Sequence, residues 1–191
     1  MKLGELSAKY ESNGDPGAIA HTKGDKGGPS YGMYQLAMNT GSLEAYLRAS
    51  DFRHQFVGLK PGTPEFDAQW RAVAKIRPND FAEDQYDYHM GVYYTPVRAA
   101  CDIWGIPDTN AINQVIWSAS TQHGPGWAKK AFKQYKGTVE EKQMIAQIYL
   151  LRMKVFQDSK HYNATEAARK VKESVLQRFR NEMHDAFALI V

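Results

Sequence analysis

The stretch that decides the fold runs from Lys9 to Leu36 and reads KYESNGDPGAIAHTKGDKGGPSYGMYQL. Apolar residues recur before and within its start at spacings of three and four, which predicts a first helix over residues 2–11. The sequence NGDPG at residues 13–17 cannot continue a helix. We therefore expect Glu11 at a helix end, followed by an irregular loop or small β-hairpin over residues 13–34.

The remainder of the chain alternates helical periodicity with Gly, Pro and Asn breaks. Thr63 followed by Pro64 is typical of a helix start, and Arg77-Pro78 of a helix end. Further helices are expected over residues 42–49, from Asn79 or Asp80, over 97–104, from Thr109, over 127–135, from a capping box at Thr138 and Glu141, and from Glu166 to Ala188. This pattern predicts a mainly α fold of the α+β type, with about eight helices in one catalytic domain over residues 1–191.

The composition is that of an ordinary globular protein and excludes several functional classes. Of 191 residues, 43% are hydrophobic and 24% charged, and the net charge is +3 without a dense basic run, so we predict no nucleic acid partner. The histidines show no ligand spacing and no phosphate-binding glycine pattern occurs, so we predict no metal and no cofactor. The single cysteine, Cys101, excludes an internal disulfide and is expected to be a buried, unreactive thiol.

The N-terminal residues MKLGELSAKYES lack an apolar segment of signal-peptide length, and no stretch is apolar enough for a transmembrane helix. We therefore expect a monomer that is made in the cytoplasm without a signal peptide and inserts into no membrane. If it acts on the cell wall, in the periplasm, another system must release it.

Two carboxylates in the quoted stretch are candidates for acid–base chemistry. Glu11, fixed at a helix end, is the candidate general acid. Asp25, in a Gly-rich loop, is the candidate second carboxylate, which could activate water. Asp15 is its rival, although Asp15-Pro16 is typical of a turn.

Glu11-Ser12, followed by Tyr31-Gly32-Met33-Tyr34-Gln35-Leu36, resembles the ES…GLMQ signature of lytic transglycosylases and goose-type lysozymes. The loop over residues 24–32 is more similar to phage-type and tail-associated members of the lysozyme-like superfamily. The resemblance implies a glycoside hydrolase: an endolysin-type muramidase that cleaves the β-1,4 bond between N-acetylmuramic acid and N-acetylglucosamine. Its partner would be the glycan strands of peptidoglycan.

The same resemblance implies residues that bind the substrate. Gln35 matches the glutamine of the motif, and Gly124-Pro125-Gly126 aligns with the GPG of the AYNAGPGAV stretch of transglycosylases. The candidate substrate-binding residues are Thr22, Tyr31, Gln35, Gln122, His123 and Tyr149. Structural roles stay open beside these, as a helix C-cap for Gln122 and His123 and as a core tyrosine for Tyr149.

Departures from the family pattern leave the chemistry open. Gln122 stands where the transglycosylases have asparagine, and Thr121 where they have tyrosine. A lytic transglycosylase acting on the same bond is therefore one alternative. A chitosanase-like hydrolase, which also pairs an early Glu with a later Asp, is a second. The third is a phage tail or secretion-spike module that binds wall glycan without cleaving it.

Overall fold

The computed structural model describes residues 1–10, 14–21, 28–137 and 140–191 and confirms the mainly helical prediction. The helices are α1 Glu5–Ala8, α2 Ser42–Ala49, α3 Pro64–Ile76, α4 Pro78–His89, α5 Thr95–Ile103, α6 Asn110–His123, α7 Pro125–Lys133, α8 Glu141–Gln157, α9 Lys160–Asn163 and α10 Glu166–Phe187. A 3₁₀ turn, Arg53–Phe56, follows α2, and a π-helical turn, Met90–Tyr94, joins α4 to α5.

The predicted β element is a small antiparallel sheet. Its strands are β1 Ile19–Ala20, β2 Ser30–Tyr31 and β3 Leu36–Ala37, in the order β1-β2-β3. The register places Tyr31 opposite both Ile19 and Leu36.

The chain divides into two compact units. Unit 1 comprises Met1–Tyr10 and Tyr93–Val191, and unit 2 comprises residues 11–92. Whether the whole of residues 1–191 is one catalytic domain stays a prediction.

Unit 1 is built around α6, whose residues 115–120 are all buried. The side chain of Gln114 fastens the N-terminal segment to this helix: its Oε1 accepts hydrogen bonds from the backbone N–H groups of Gly4 (3.0 Å) and Leu6 (3.3 Å), and its Nε2 donates to the Lys2 carbonyl (2.7 Å). The first helix is consequently shorter than predicted. Gly4 precedes it in the left-handed region, at φ 87°, and the helix ends at Ala8.

Unit 2 has an aromatic core centred on Trp70. Ring centroids of Tyr31, Phe56 and Phe81 lie 5.3, 5.5 and 4.8 Å from the Trp70 ring. Such tilted and edge-to-face pairs add to the burial of their area. The core therefore fixes β2 against α3 and α4.

Helix starts that depend on local chemistry are confirmed. The hydroxyls of Thr63, Thr109 and Thr165 each accept a bond from the backbone N–H three residues on, at 3.4, 3.2 and 3.1 Å. The predicted cap of α4 at Asn79 or Asp80 is wrong, because Pro78 is already the first helical residue. The predicted capping residue Thr138 lies outside the described residues.

The expectation about the cysteine is confirmed. Cys101 is a fully buried free thiol, as predicted, and burial raises its pKa to about 12. Among the described residues, no helix combines the length and the apolarity needed to cross a bilayer.

Candidate functional site

Three of the predicted site residues, Glu11, Thr22 and Asp25, lie outside the described residues. The residues that flank them in sequence are described, and each flank is held by a side chain from a helix.

The flank that precedes Glu11 is tied to α10. The Tyr10 hydroxyl donates to Asp185 Oδ2 at 2.8 Å, and Lys9 Nζ donates to the same oxygen at 2.7 Å. These bonds lower the pKa of Asp185, while burial, followed by the bond to Asp185, raises the pKa of Tyr10 to about 12. The end of the segment before Glu11 is thus fixed within unit 1.

The flank that follows Glu11 is a turn fastened to α3 and α4. The Pro16 carbonyl accepts bonds from Trp70 Nε1 (2.9 Å) and from Gln85 Nε2 (3.0 Å). Asp15 Oδ1 accepts a bond from the Gly17 N–H at 2.8 Å, the Asx-turn arrangement that stabilises this kind of loop. The side chain of Asp15 therefore serves its own turn.

Both flanks of residues 22–27 are held by one carboxylate on α3. Asp67 Oδ2 lies 2.8 Å from His21 Nε2, and Asp67 Oδ1 accepts a bond from the Tyr31 hydroxyl at 2.7 Å. The Tyr31 oxygen in turn accepts the Gly62 N–H at 3.0 Å. No local pattern in the sequence indicates this role of Asp67, because its partners are 46 and 36 residues away.

The motif residues of the YGMYQL stretch have local structural roles. Tyr31 is fully buried, so no face of its ring is open to a sugar. Gly32 has φ 74°, and a Cβ there would lie 2.2 Å from Gln85 Oε1, which accepts the Met33 N–H at 2.9 Å. Gln35 is exposed with φ 50°, and its side chain bonds Ser30 Oγ (2.8 Å) and the Gly32 carbonyl (3.0 Å).

The stretch from Gln122 to Gly126, which contains the predicted substrate-binding residues Gln122 and His123, forms the connection between α6 and α7. Gly124 has φ 80°, its N–H donates to the Ser120 carbonyl at 2.9 Å, and α7 begins at Pro125. Gln122, partly exposed, lies in the last turn of α6. The stretch is therefore a helix–helix turn.

His123, the last residue of α6, packs among aromatic rings. Its ring centroid is 4.3 Å from that of Trp127 and 6.2 Å from that of Phe179. Burial, with a smaller effect from Arg152, lowers the pKa of His123 to about 3. The imidazole is thus neutral at physiological pH.

Beside His123, unit 1 contains a buried charge cluster, defined as Tyr149, Arg152, Arg178 and Glu182. The Arg152 guanidinium lies over the Tyr149 ring (4.8 Å), donates to Ser118 Oγ (2.9 Å) and lies 3.8 Å from Glu182 Oε1. Arg178 Nε is 3.9 Å from Glu182 Oε2. Arg152 and Glu182 have no exposed surface.

The structure thus brings His123 and Tyr149 together around Phe179 in unit 1, whereas Tyr31 and Gln35 belong to the hairpin of unit 2. Unit 2 also has a groove of about 560 Å³ with five carboxylates in its lining. One of them, Asp84, accepts bonds from Ser50 Oγ (2.7 Å) and the Asp51 N–H (3.0 Å) and so fastens α4 to the end of α2. In the part of the chain that is described, no three His, Cys, Asp or Glu side chains are placed to hold a metal ion.

Comparison with known proteins gives a family. The protein-family model described as type VI secretion system spike protein VgrG3-like, C-terminal, matches residues 3–183. The type VI secretion system spike protein VgrG3 of Vibrio cholerae serotype O1 is 37% identical over 126 residues, which are 64% of this chain. The chain spans only 12% of the length of that relative.

These matches correct the resemblance drawn from the short motifs. The assignment to the lysozyme-like superfamily is wrong, and so are the endolysin-type function and the phage association inferred from it, since both matches are to a secretion spike protein. The physical reason is visible in unit 2. Tyr31 packs in the core, Gly32 leaves room for Gln85, and Gln35 completes a turn. These motif residues therefore have structural roles, and their presence does not indicate a particular reaction.

Proposed function

The chain belongs to the family of type VI secretion system spike proteins, VgrG3-like, C-terminal, and on that premise we propose that it is an effector domain delivered by a secretion spike. We further propose that it is a glycoside hydrolase that acts on a polysaccharide of the target cell envelope. The family match over residues 3–183, which covers most of both compact units, carries the proposed delivery. The anchored segments that flank the candidate carboxylates carry the proposed hydrolysis.

Delivery by a spike would bring the protein to a glycan outside the cell that makes it. In the V. cholerae spike protein, the region that matches this chain is a small part of the whole, since the chain spans 12% of its length. The glycan strands of the cell wall are the predicted partner.

The anchored segments that flank the candidate carboxylates support a hydrolase. Glu11 would act as general acid and Asp25 as the second carboxylate. Catalysis by positioned groups tolerates little displacement, so the segments that carry them need firm anchors. The described flanks have such anchors in Asp185, Trp70, Gln85 and Asp67.

Secretion is tested in the native host with an epitope tag on the protein. The tagged protein should reach the medium of the parent strain and be absent from the medium of a strain whose type VI system is inactivated. A cytoplasmic marker followed in the same samples controls for lysis. Equal release from both strains contradicts delivery by the spike.

The activity is tested with the purified protein on a panel of polysaccharides that includes isolated cell-wall glycan, chitin and chitosan. The proposal predicts release of new reducing ends from at least one of them. Binding to a polysaccharide without release of ends would contradict the hydrolase and favour a carrier or binding module.

A further inference from the structure

Asp67 is a buried carboxylate whose two oxygens serve two different parts of unit 2. It lies in the first turn of α3, where its Oδ1 receives the Tyr31 hydroxyl and its Oδ2 pairs with His21 Nε2. A buried carboxylate is expensive unless its lone pairs are used, and here each oxygen has a partner. The arrangement therefore orients the His21 imidazole as well as the hydroxyl of the core residue Tyr31.

His21 is the exposed end of this chain of hydrogen bonds. Its side chain is 48% exposed, against 13% for that of Asp67, while Tyr31 has no exposed surface. A partly exposed contact of a histidine with a carboxylate contributes little to stability because solvent weakens it and both side chains lose entropy. An imidazole that is hydrogen-bonded through one nitrogen and otherwise exposed to solvent is instead suited to contact a ligand.

The bond to Asp67 leaves the rest of the imidazole available. Nδ1 has no hydrogen-bond partner among the described residues, and the ring faces are partly open. Sugar hydroxyl and amide groups hydrogen-bond to a ring nitrogen, and a sugar ring packs against an aromatic face. His21 also directly precedes Thr22 in the sequence and lies four residues before Asp25.

We propose that His21, oriented by Asp67, is a substrate-binding residue that contacts the glycan. This inference rests on the proposed glycoside hydrolase function and adds a residue to it. No resemblance to a family motif pointed to His21, since the role follows from a partner 46 residues away.

The test compares kinetics of the whole protein on a polysaccharide that the wild type cleaves. His21→Ala should raise KM about tenfold, which corresponds to about 1.4 kcal/mol, with kcat changed less than about threefold. Asp67→Asn should raise KM less, because it loosens the imidazole without removing it. His54→Gln is the matched control, since it replaces a histidine of the same unit whose hydrogen bonds, among the described residues, go to the Asp51 carbonyl and the side chain of Gln55.

Melting temperatures of the same variants separate binding from folding. If His21→Ala lowers the melting temperature but has wild-type KM and kcat below the transition, His21 is only structural and the inference is overturned. Should His21→Ala fail to fold, titration of the ¹⁵N-labelled wild type with an oligosaccharide product decides the question. The His21 imidazole resonances should shift and those of His54 should not, and unshifted His21 resonances overturn the inference.

The same experiment distinguishes the two proposals. A wild-type protein that cleaves a polysaccharide, with a His21→Ala variant that matches it in KM, overturns only the role of His21. A wild-type protein that neither cleaves nor binds any polysaccharide overturns the proposed function, and the role of His21 with it.

Discussion

At Gly32, backbone and packing both exclude a side chain. The φ of 74° lies in the left-handed region, and a Cβ would lie 2.2 Å from Gln85 Oε1. The Gln85 amide is held in place, because its Oε1 accepts the Met33 N–H and its Nε2 donates to the Pro16 carbonyl. Gly41 has a similar φ of 79°, but nothing lies within 4 Å of its added Cβ. A comparison of substitutions at the two glycines therefore separates the cost of backbone strain from the cost of a steric clash.

We predict that Gly32→Ala lowers the free energy of unfolding by about 3 kcal/mol, from left-handed strain plus displacement of Gln85. Gly41→Ala should lower it by about 1 kcal/mol, from strain alone. Denaturant unfolding measures both. Equal losses in the two variants would show that Gln85 moves aside at no cost.

The buried charge cluster gives a second prediction at the scale of the residue. Arg152→Met removes the cation that lies 3.8 Å from Glu182 and leaves this fully buried carboxylate poorly compensated. The free energy of unfolding should fall by about 4 kcal/mol.

Arg48→Met is the control for that substitution, because Arg48 pairs with Glu44 on the surface of α2, where both side chains are about 70% exposed. Its effect should stay within about 0.5 kcal/mol. If the two variants are equally stable, the cluster contributes nothing to unit 1.

The residues that anchor the candidate site were not predictable from the sequence. Gln85 bonds groups 52 and 69 residues away, and Asp67 bonds groups 46 and 36 residues away. Nothing in a local pattern distinguishes them from the other polar residues of α3 and α4. Their roles depend on how distant segments meet, which only the folded chain shows.

At the scale of the element, prediction succeeded where local chemistry decides. Helix α2 was predicted with its observed bounds, and the starts after Thr63, Thr109 and Thr165 follow from side-chain caps within three residues. Helix α1 was predicted too long, because the Gln114 side chain binds the backbone of Gly4 and Leu6 in place of a longer helix. The predicted helix starts depend on contacts between residues close in sequence, whereas the start of α1 depends on a contact with the distant residue Gln114.

The end of α6 gives a prediction about pH. The folded pKa of His123 is about 3, below the ordinary value of 6.5, so the unfolded chain binds a proton more readily than the folded one below pH 6.5. Stability should therefore fall as the pH is lowered from about 6.5 toward 3.

His123→Phe removes this linkage while keeping an aromatic ring beside Trp127. Relative to the wild type, the variant should gain about 1 kcal/mol between pH 7 and pH 5, allowing for the partial exposure of His123. Denaturant unfolding at several pH values measures this gain. Parallel stability curves for the two proteins would contradict the assignment of a neutral, buried imidazole.

At the scale of the whole molecule, the division into two compact units predicts which helices a destabilising substitution affects. Gly32→Ala strains unit 2, so hydrogen exchange should accelerate in α3 and α4. Helices α6 and α8 of unit 1 should keep their wild-type rates. Uniform acceleration over the whole chain would show that the units do not unfold separately.

We propose that the chain is a glycoside hydrolase in which Glu11 supplies the proton. The decisive measurement is the rate at which new reducing ends are released from the polysaccharide that the purified protein cleaves, compared between Glu11→Gln and Glu5→Gln. Both variants change a glutamate among the first eleven residues of the sequence, and Glu5 is exposed and accepts the Lys2 N–H at 2.8 Å. We expect Glu11→Gln to lower the rate by about a hundredfold or more with unchanged melting temperature, while Glu5→Gln keeps wild-type activity. Wild-type activity in Glu11→Gln would contradict the proposal.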